Sequence, residues 1–284
     1  MPLTIHQPKA MVGIVDKPMV YYSIEEIVRA GVNDLIFVIS PSQTQLKRYI
    51  ESIDFDIFAA PARNARASLA GGPASQGKRP RVRVHFVIQK EAIGNADAIY
   101  KTKSLLGGDS AYVLFCDDVL EDGSRVMKDA IAVSEKYAAP VVVLDRVPKK
   151  LVSRYGIVEA KKLPDSLENG GGRLFEIIDI VEKPSVKEAP SDLSVVGRYI
   201  LTPAVFDSIR SLYLRESMSG RGEIELTDAL KLHLDNGGKM YGIEHNGARF
   251  DCGSRLGLMK AQAYFSLKHP EFGKEVRAYL KGII

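Results

Sequence analysis

The sequence is short of cysteine, of long apolar runs and of any export signal, and each shortage excludes a class of protein. Cys116 and Cys252 are the only cysteines, too few for a disulfide framework or a structural zinc site, so we expect free thiols. Apolar runs such as 111–116 fall far short of the roughly twenty residues that a membrane-spanning helix needs. The first residues lack the basic and apolar stretches of a secretory signal. We therefore expect a cytoplasmic protein that does not associate with membranes.

An excess of one charge is missing as well. The 39 basic and 35 acidic side chains are interspersed and leave a formal net charge of +4. Only Lys78, Arg79, Arg81 and Arg83 cluster tightly, and a solvated loop accounts for that cluster. With 284 residues, of which 45% are hydrophobic and 26% charged, the chain has the balance of an ordinary globular protein. Nucleic acid is therefore not an expected partner.

Helix and strand patterns alternate along the first half of the chain. The apolar spacing predicts helices at 19–30, 95–106 and 125–137, and strands at 35–39, 82–88, 111–116 and 141–144. This alternation is typical of an α/β fold with helices on both faces of the sheet. We expect a Rossmann-like, mostly parallel sheet in a single domain that spans 1–284.

Three other stretches have patterns of their own. Residues 59–81 are rich in Ala, Gly, Pro and Ser without an apolar period, which predicts a mobile insertion. Residues 155–200 show short strands separated by turns, which predicts a small antiparallel lobe that no linker separates from the rest. After helices at 227–234 and 254–268, residues 271–284 are charged and amphipathic, and we expect a C-terminal helix that serves as a cover or a dimer contact.

Acidic side chains follow one of the predicted strands. Asp117 and Asp118 come directly after the strand at 111–116, and the carboxyl ends of parallel strands are where open α/β sheets bind ligands. Their hard oxygens suit Mg²⁺, although paired acidic residues before a helix are also common caps. The five histidines have no metal-ligand spacing, and no Ser-His-Asp or Cys-His arrangement is visible. Hydrolase and zinc chemistry are therefore not supported.

Four motifs together carry a resemblance to a known family. They are PLTIHQPKAMVGIVDKPMVYY at 2–22, VIQKEAIGNADA at 87–98, IVEKPSVKEAPSDLSVVGRYILTP at 180–203 and ARFDCGSRLG at 248–257. On these motifs the sequence resembles the bacterial and archaeal UTP–glucose-1-phosphate uridylyltransferases along nearly its whole length. The resemblance implies transfer of a uridylyl group from UTP to glucose 1-phosphate, which gives UDP-glucose and pyrophosphate. It also implies a homo-oligomer, either a dimer or a tetramer, and assigns the antiparallel lobe to the sugar side.

The resemblance implies roles on the nucleotide side of the site. Lys9 would neutralise charge on the triphosphate, Gln89 would read the uracil edge, and Gly94 would let the backbone approach the nucleotide closely. Asp117, beside the nucleotide, and Asp251 would together hold Mg²⁺. Taken alone, Lys9 reads as a surface lysine, Gly94 as a turn glycine and Asp251 as a helix cap.

The same resemblance implies roles on the sugar side. Glu182 would accept hydrogen bonds from sugar hydroxyls, Lys183 would hold the sugar phosphate, and Gly156 would bring the backbone against the hexose. Taken alone, Glu182 and Lys183 read as a surface ion pair. The acidic residues and Thr227 in RGEIELTDALKL at 221–232 are explained by helix capping and packing, and we keep them outside the site.

The sequence departs from the family pattern at two places. Many relatives have a second glycine and a histidine where this chain has Asn95 and Asp97. Relatives also reach Pro-Leu-Thr only after a strand and a Gly-x-Gly-Thr-Arg loop that cradles the triphosphate, whereas Pro2 here follows Met1. We therefore expect the natural start to lie upstream. The alternatives are a thymidylyltransferase of the same fold, or a truncated relative that binds a sugar nucleotide or a partner without catalysis.

Overall fold

A computed structural model describes residues 7–59, 82–164, 167, 170, 172–219 and 223–283. The helices are α1 Met19–Ala30, α2 Thr44–Glu51, α3 Asp56–Ala59, α4 Asn95–Tyr100, α5 Lys103–Leu106, α6 Gly123–Tyr137, α7 Pro203–Ser219, α8 Leu226–Asp235, α9 Arg255–Lys268 and α10 Gly273–Lys281, with 3-10 turns at Lys9–Met11 and Lys149–Arg154. The strands are β1 Gly13–Ile14, β2 Lys17–Pro18, β3 Asp34–Ile39, β4 Arg83–Ile88, β5 Ala111–Leu114, β6 Asp118–Leu120, β7 Val141–Arg146, β8 Gly156–Lys162, β9 Gly172–Glu182, β10 Leu193–Leu201, β11 Tyr241–His245 and β12 Arg249–Asp251. None of the helices traced here has the length and apolar character needed to cross a membrane.

The main sheet has six strands in the order β5-β10-β7-β11-β9-β8. The α/β class is confirmed, but the expected predominance of parallel pairs needs correction. Among the described strands, β7 pairs with β11 and β3 with β4 in parallel, and the remaining ladders are antiparallel. The reason is that β8, β9 and β10, which come from the segment predicted as a small antiparallel lobe, are part of the main sheet. Strand β10 inserts between β5 and β7 and pairs antiparallel with both.

Alternation along β7 explains why helices cover both faces of this sheet. Val142 and Leu144 pack into a cluster with residues of α7 and α8. Val141 and Val143 point the other way and pack against Val126 of α6 and its neighbours. All four valine and leucine side chains of this strand are fully buried, as a strand between two helical layers requires.

Several predicted elements are confirmed and others need correction. Helix α1 begins and ends where the apolar spacing places it, and Gly31, with a φ of 101°, closes it. The single helix predicted at 95–106 is two helices, α4 and α5, because the hydroxyl of Thr102 donates to the carbonyl of Ile99 at the break. Neither α2 nor α7 was predicted from the apolar spacing. Apart from residue 59, the insertion predicted at 59–81 lies outside the described residues.

Both cysteines are free thiols, as expected, and both pack among apolar side chains. Burial raises the pKa of Cys116 to about 12, with the negative charge of Asp117 as the next cause. Burial likewise raises the pKa of Cys252 to about 12. Neither thiol therefore forms a thiolate near neutral pH, which removes both from catalysis.

A buried ion pair joins α1 to β10. Nε and Nη2 of Arg198 donate to Oε1 and Oε2 of Glu26, each at 2.9 Å, and the two side chains are only 1% and 6% exposed. Arg198 also donates to the carbonyl oxygen of Phe115 at 3.0 Å, and the hydroxyl of Tyr112 donates to Glu26 at 2.6 Å. A side chain at Gly123 would collide with Glu26, so the glycine makes room for the pair. The charges are thus buried with their partners in place, which is the condition for tolerating them.

Replacement of Glu26 by Gln should destabilise the fold by about 3–5 kcal/mol, because it leaves the Arg198 charge buried without its counter-ion. Urea unfolding followed by circular dichroism measures the difference. Glu25→Gln is the matched control on the same helix, since Glu25 forms a more exposed pair with Arg29, and it should change stability by less than about 0.5 kcal/mol. Equal effects of the two substitutions would contradict the assigned role of the buried pair.

Candidate active site

Three of the predicted site residues converge beyond the carboxyl end of β5. The ammonium of Lys9 donates to Asp117. A methyl group added to Gly253 would lie 2.8 Å from Oδ1 of Asp251, 3.0 Å from Nζ of Lys9 and 3.1 Å from Oδ2 of Asp117. The glycine therefore marks the point at which the three charged groups meet. The predicted association of these residues, which are far apart in the sequence, is present in the fold.

Backbone hydrogen bonds fix this meeting point. Lys9 opens the 3-10 turn before β1, whereas Asp117 lies between β5 and β6 and Asp251 ends β12. Strand β12 pairs with β6, and the amide of Cys252 donates to the carbonyl oxygen of Asp117 at 2.8 Å. The two aspartates are thus held on adjoining segments.

The converging groups are charged and partly open to solvent. The side chains of Lys9, Asp117 and Asp251 are 41%, 31% and 25% exposed. Partial burial disfavours the ammonium of Lys9, but its hydrogen bond to Asp117 and the attraction of Asp117 and Asp251 outweigh this and raise its pKa. Lys9 is therefore cationic at any physiological pH. A ligand that reaches these groups meets fixed charges without displacing a hydrophobic cover.

Asp251 is oriented by two residues that the sequence analysis did not single out. The hydroxyl of Tyr155 donates to its Oδ2 at 3.0 Å, and Arg154 donates to the same oxygen at 3.3 Å. Burial, and then the charge of Asp251, raises the pKa of Tyr155, so the phenol stays protonated and remains a donor. In this stretch only Gly156 is predicted to belong to the site, because a tyrosine beside a turn glycine gives no sign of a partner near residue 251.

The neighbouring Asp118 has a different role from Asp117. It accepts from Arg249 at 2.7 and 3.0 Å and from the amide of Gly197 at 3.2 Å. Burial opposes its ionisation, but the charge and hydrogen bonds of Arg249 outweigh burial and lower the pKa of Asp118. Arg249 in turn lies 4.8 Å from the centre of the Tyr155 ring. Of the two adjacent aspartates, Asp118 is therefore bound within the fold, whereas Asp117 remains more exposed to solvent.

The predicted sugar-side residues also lie together. Oε2 of Glu182 accepts from the hydroxyl of Thr227 at 2.8 Å, and Oε1 lies 3.0 Å from the ammonium of Lys183. Gly156 pairs with Glu182 across β8 and β9, and a methyl group on Gly156 would lie 3.2 Å from that carboxylate. Lys183 has a φ of 45°, an uncommon conformation for a lysine. Since Gly156 directly follows Tyr155, this cluster adjoins the one around Asp251.

Gln89 and Gly94 form a third group. Gln89 follows β4, and its side-chain amide nitrogen donates to the carbonyl oxygen of Gly94 at 3.1 Å and to Asp97 at 2.7 Å. Gly94 has a φ of 111°, and a side chain there would collide with the backbone of Ile224. The fold therefore requires this glycine for packing, whatever else it contacts.

The segment 223–227 joins the groups around Gln89 and Glu182. The amide of Ile224 donates to Ile93, and its carbonyl oxygen accepts from Ala96. Oε2 of Glu225 accepts from Asn95 at 2.6 Å, while Thr227 reaches Glu182. Burial, and then the charge of Glu182, raises the pKa of Glu225. The hydroxyl of Thr227 donates to Glu182, so helix capping does not explain this residue. The acidic residues next to Thr227 in the sequence were a signal for a site here that the sequence analysis did not use.

Asp117 and Asp251 are the residues here that could hold a divalent cation. Within the described ranges, no group of three or more His, Cys, Asp or Glu side chains has the arrangement of a metal site. Two carboxylates suffice for Mg²⁺, because that ion usually takes one or two from the protein and completes its shell with phosphate and water. The donor set therefore fits Mg²⁺ bound together with a phosphate ligand.

A nucleotidyl transferase family profile matches residues 1–266 of this chain. The chain belongs to the nucleotidyl transferase family. A UTP–glucose-1-phosphate uridylyltransferase of Staphylococcus epidermidis is 31% identical over 282 residues, which cover 99% of this chain and 92% of that protein. The match thus extends over almost the whole length of both.

Solved structures of similar proteins have the same fold. A UDP-glucose pyrophosphorylase in complex with UDP-glucose superimposes with a TM-score of 0.74 at 27% identity, over 95% of this chain and 94% of that one. The UTP-bound enzyme from Acinetobacter baumannii gives a TM-score of 0.73 at 30% identity, over 96% and 91%. The Rossmann-like expectation for this chain is thereby confirmed at the level of the fold.

The two adjacent aspartates should respond differently to the same substitution. Asp118→Asn should destabilise the fold by about 3 kcal/mol because Arg249 loses its main counter-ion, whereas Asp117→Asn should cost less than about 1 kcal/mol. Because the pKa of Asp118 lies below its ordinary value of 3.8, its contribution is present above that pH and is lost as the pH falls through the lower, folded value. Urea unfolding should therefore show the Asp118→Asn deficit in full at pH 7 and a smaller one below about pH 4. A deficit that is unchanged in acid would refute this account.

Proposed function

We propose that the protein transfers a uridylyl group from UTP to glucose 1-phosphate, giving UDP-glucose and pyrophosphate. The observation that carries this proposal is the convergence of Lys9, Asp117 and Asp251 beside the Glu182–Lys183 cluster, in a chain similar to uridylyltransferases over nearly its whole length. Charged groups for a triphosphate and for a sugar phosphate thus lie on adjoining segments. The two free cysteines are compatible with a reducing compartment, and we place the activity in the cytoplasm.

In the reaction, a phosphate oxygen of glucose 1-phosphate forms a bond to the α-phosphorus of UTP. The bond from that phosphorus to the bridging oxygen breaks, and the electron pair leaves with pyrophosphate. The chain needs no nucleophile of its own, since both reacting groups belong to substrates, and alignment with charge neutralisation provides the acceleration. The inert thiols agree with such a reaction.

Each predicted site residue has a place in this scheme. Lys183 holds the phosphate of the sugar substrate and Glu182 accepts from its hydroxyls, while Lys9 binds the triphosphate. Gln89 and Gly94 lie against the base end of the nucleotide. Asp117 and Asp251 would hold Mg²⁺, which supplies positive charge to the phosphates.

Lys9 must exchange partners for this to happen. Without a ligand its ammonium is bound to Asp117, the same carboxylate that we assign to the cation. A four-carbon stem that is about half exposed gives Lys9 the freedom to move from Asp117 to a phosphate when the nucleotide enters. The pair thus keeps the carboxylate satisfied in the free protein.

Pyrophosphate release from UTP, glucose 1-phosphate and Mg²⁺ tests the proposal. The purified protein is assayed with UTP and, in parallel, with dTTP. Asp117→Asn and Asp251→Asn should each lower kcat by at least about a hundredfold, because each removes a charge from the proposed cation site, and EDTA should abolish activity.

If dTTP outperforms UTP, the protein is a thymidylyltransferase. No turnover with either nucleotide, with UDP-glucose still bound, would indicate a non-catalytic relative.

Thr227→Val should weaken the sugar side alone. Glu182 loses a hydrogen bond to its carboxylate, which costs at least about 1 kcal/mol, so the KM for glucose 1-phosphate should rise at least about fivefold while that for UTP stays constant. Steady-state kinetics with each substrate varied in turn measures both constants. Thr44→Val, at the exposed start of α2, serves as the control and should change neither. A rise in the KM for UTP alone would place Glu182 outside the sugar site.

A further inference from the structure

Asp97 is a fully buried carboxylate on α4 that the scheme above leaves without a role. Its side chain is 0% exposed, although aspartate is among the residues least often buried. Oδ1 accepts from the ammonium of Lys101 and from the hydroxyl of Tyr213 on α7. Oδ2 accepts from Nε2 of Gln89 at 2.7 Å. One oxygen thus anchors Asp97 to its surroundings, while the other is directed at Gln89.

The chemistry of these contacts fixes the orientation of the Gln89 amide. Nε2 has two hydrogens, and its two acceptors are the Gly94 carbonyl and the Asp97 carboxylate. Neither acceptor has a proton to donate, so a rotated amide would place its oxygen against two other oxygens. Because leaving the buried carboxylate of Asp97 without this donor is costly, the amide nitrogen stays on the side of Asp97 and Oε1 lies on the opposite side of the amide.

From this geometry we propose that Asp97 is a positioning residue that sets the base specificity through Gln89. A glutamine locked with Oε1 outward offers only an acceptor to the base. Uracil and thymine present an N3–H donor to it, whereas N3 of cytosine is an acceptor and is repelled. This inference rests on the proposed function, in which Gln89 faces the base of the nucleotide.

The surroundings of Asp97 keep it an acceptor. Lys101 lies four residues further along the same stretch of helix and provides a positive charge next to Oδ1. Tyr213 provides a second donor from a different helix, so the carboxylate is held from two directions. Since both donors contact Oδ1, either can be removed without touching the bond from Gln89 to Oδ2. This separation provides the control for the experiment.

The test compares the binding of UDP-glucose and CDP-glucose by isothermal titration calorimetry, which needs no turnover. Asp97→Asn is the informative variant, because its amide group can donate to Oε1 of Gln89 and so permit the rotated orientation. The dissociation constant of CDP-glucose divided by that of UDP-glucose is the ratio to be compared. This ratio should fall at least about tenfold, chiefly through tighter binding of CDP-glucose. Asp97→Ser, whose hydroxyl can also donate, provides the same test if the asparagine variant does not fold.

Two further variants separate positioning from a purely structural role. Tyr213→Phe removes a donor from Oδ1 only, so it should lower stability and leave the ratio unchanged. Gln89→Ala should lower the ratio by itself, and adding Asp97→Asn to it should have no further effect on the ratio. Weaker binding of both ligands by Asp97→Asn at a constant ratio would overturn the inference. An unchanged ratio in Gln89→Ala would instead show that Gln89 does not read the base, which is a failure of the proposed site as well.

Discussion

The buried pair between Glu26 and Arg198 is the interaction on which the rest of the site depends. Glu26 belongs to α1, which follows closely on the turn that carries Lys9, and Arg198 belongs to the central strand β10. Arg198 also binds the carbonyl oxygen of Phe115, two residues before Asp117. One guanidinium therefore connects the segment that carries the lysine with the strand end that carries the aspartate. A buried charge is strongly destabilising without its partner. The pair therefore favours the arrangement of the chain in which these two segments meet.

A second set of charged groups holds Asp251 in place. Arg249 is neutralised by Asp118 and lies over the ring of Tyr155, whose hydroxyl binds Asp251. Asp251, which we assign to the cation, is thus held by Tyr155, and Tyr155 packs against an arginine that is itself paired with Asp118. For this reason two adjacent aspartates can have different roles. Asp118 neutralises Arg249 within the fold, whereas Asp117 remains available to a ligand.

The sequence was sufficient for some of these features and insufficient for others. Helix α1 has a clean apolar stripe and a terminal glycine, so its bounds were predicted correctly. Helix α7 was missed because its buried residues, such as Val205 and Ile209, share the helix with exposed Leu214, which blurs the stripe. The direction of β10 could not be read, since alternation gives the two faces of a strand but not its neighbours.

The same limit applies to the site. Lys9 and Asp251 stand in motifs and Asp117 follows a predicted strand, and the resemblance predicted that the three would converge. Tyr155 and Thr227 became visible only through partners 96 and 45 residues away. Asp97 looked like a departure from the family pattern, and its three donors lie on three different stretches of chain. Local patterns report local geometry, so contacts of this kind remained hidden until the fold brought them together.

The short segment 223–227 touches the surroundings of Gln89 at one end and of Glu182 at the other. The proposed base site and the proposed sugar site are therefore built on a common piece of backbone. A shift that widened one site would move the wall of the other, so the two specificities are not independent modules that can be exchanged separately. Recombination between relatives with different sugar or base preferences should succeed only where this segment travels together with both of its contact regions.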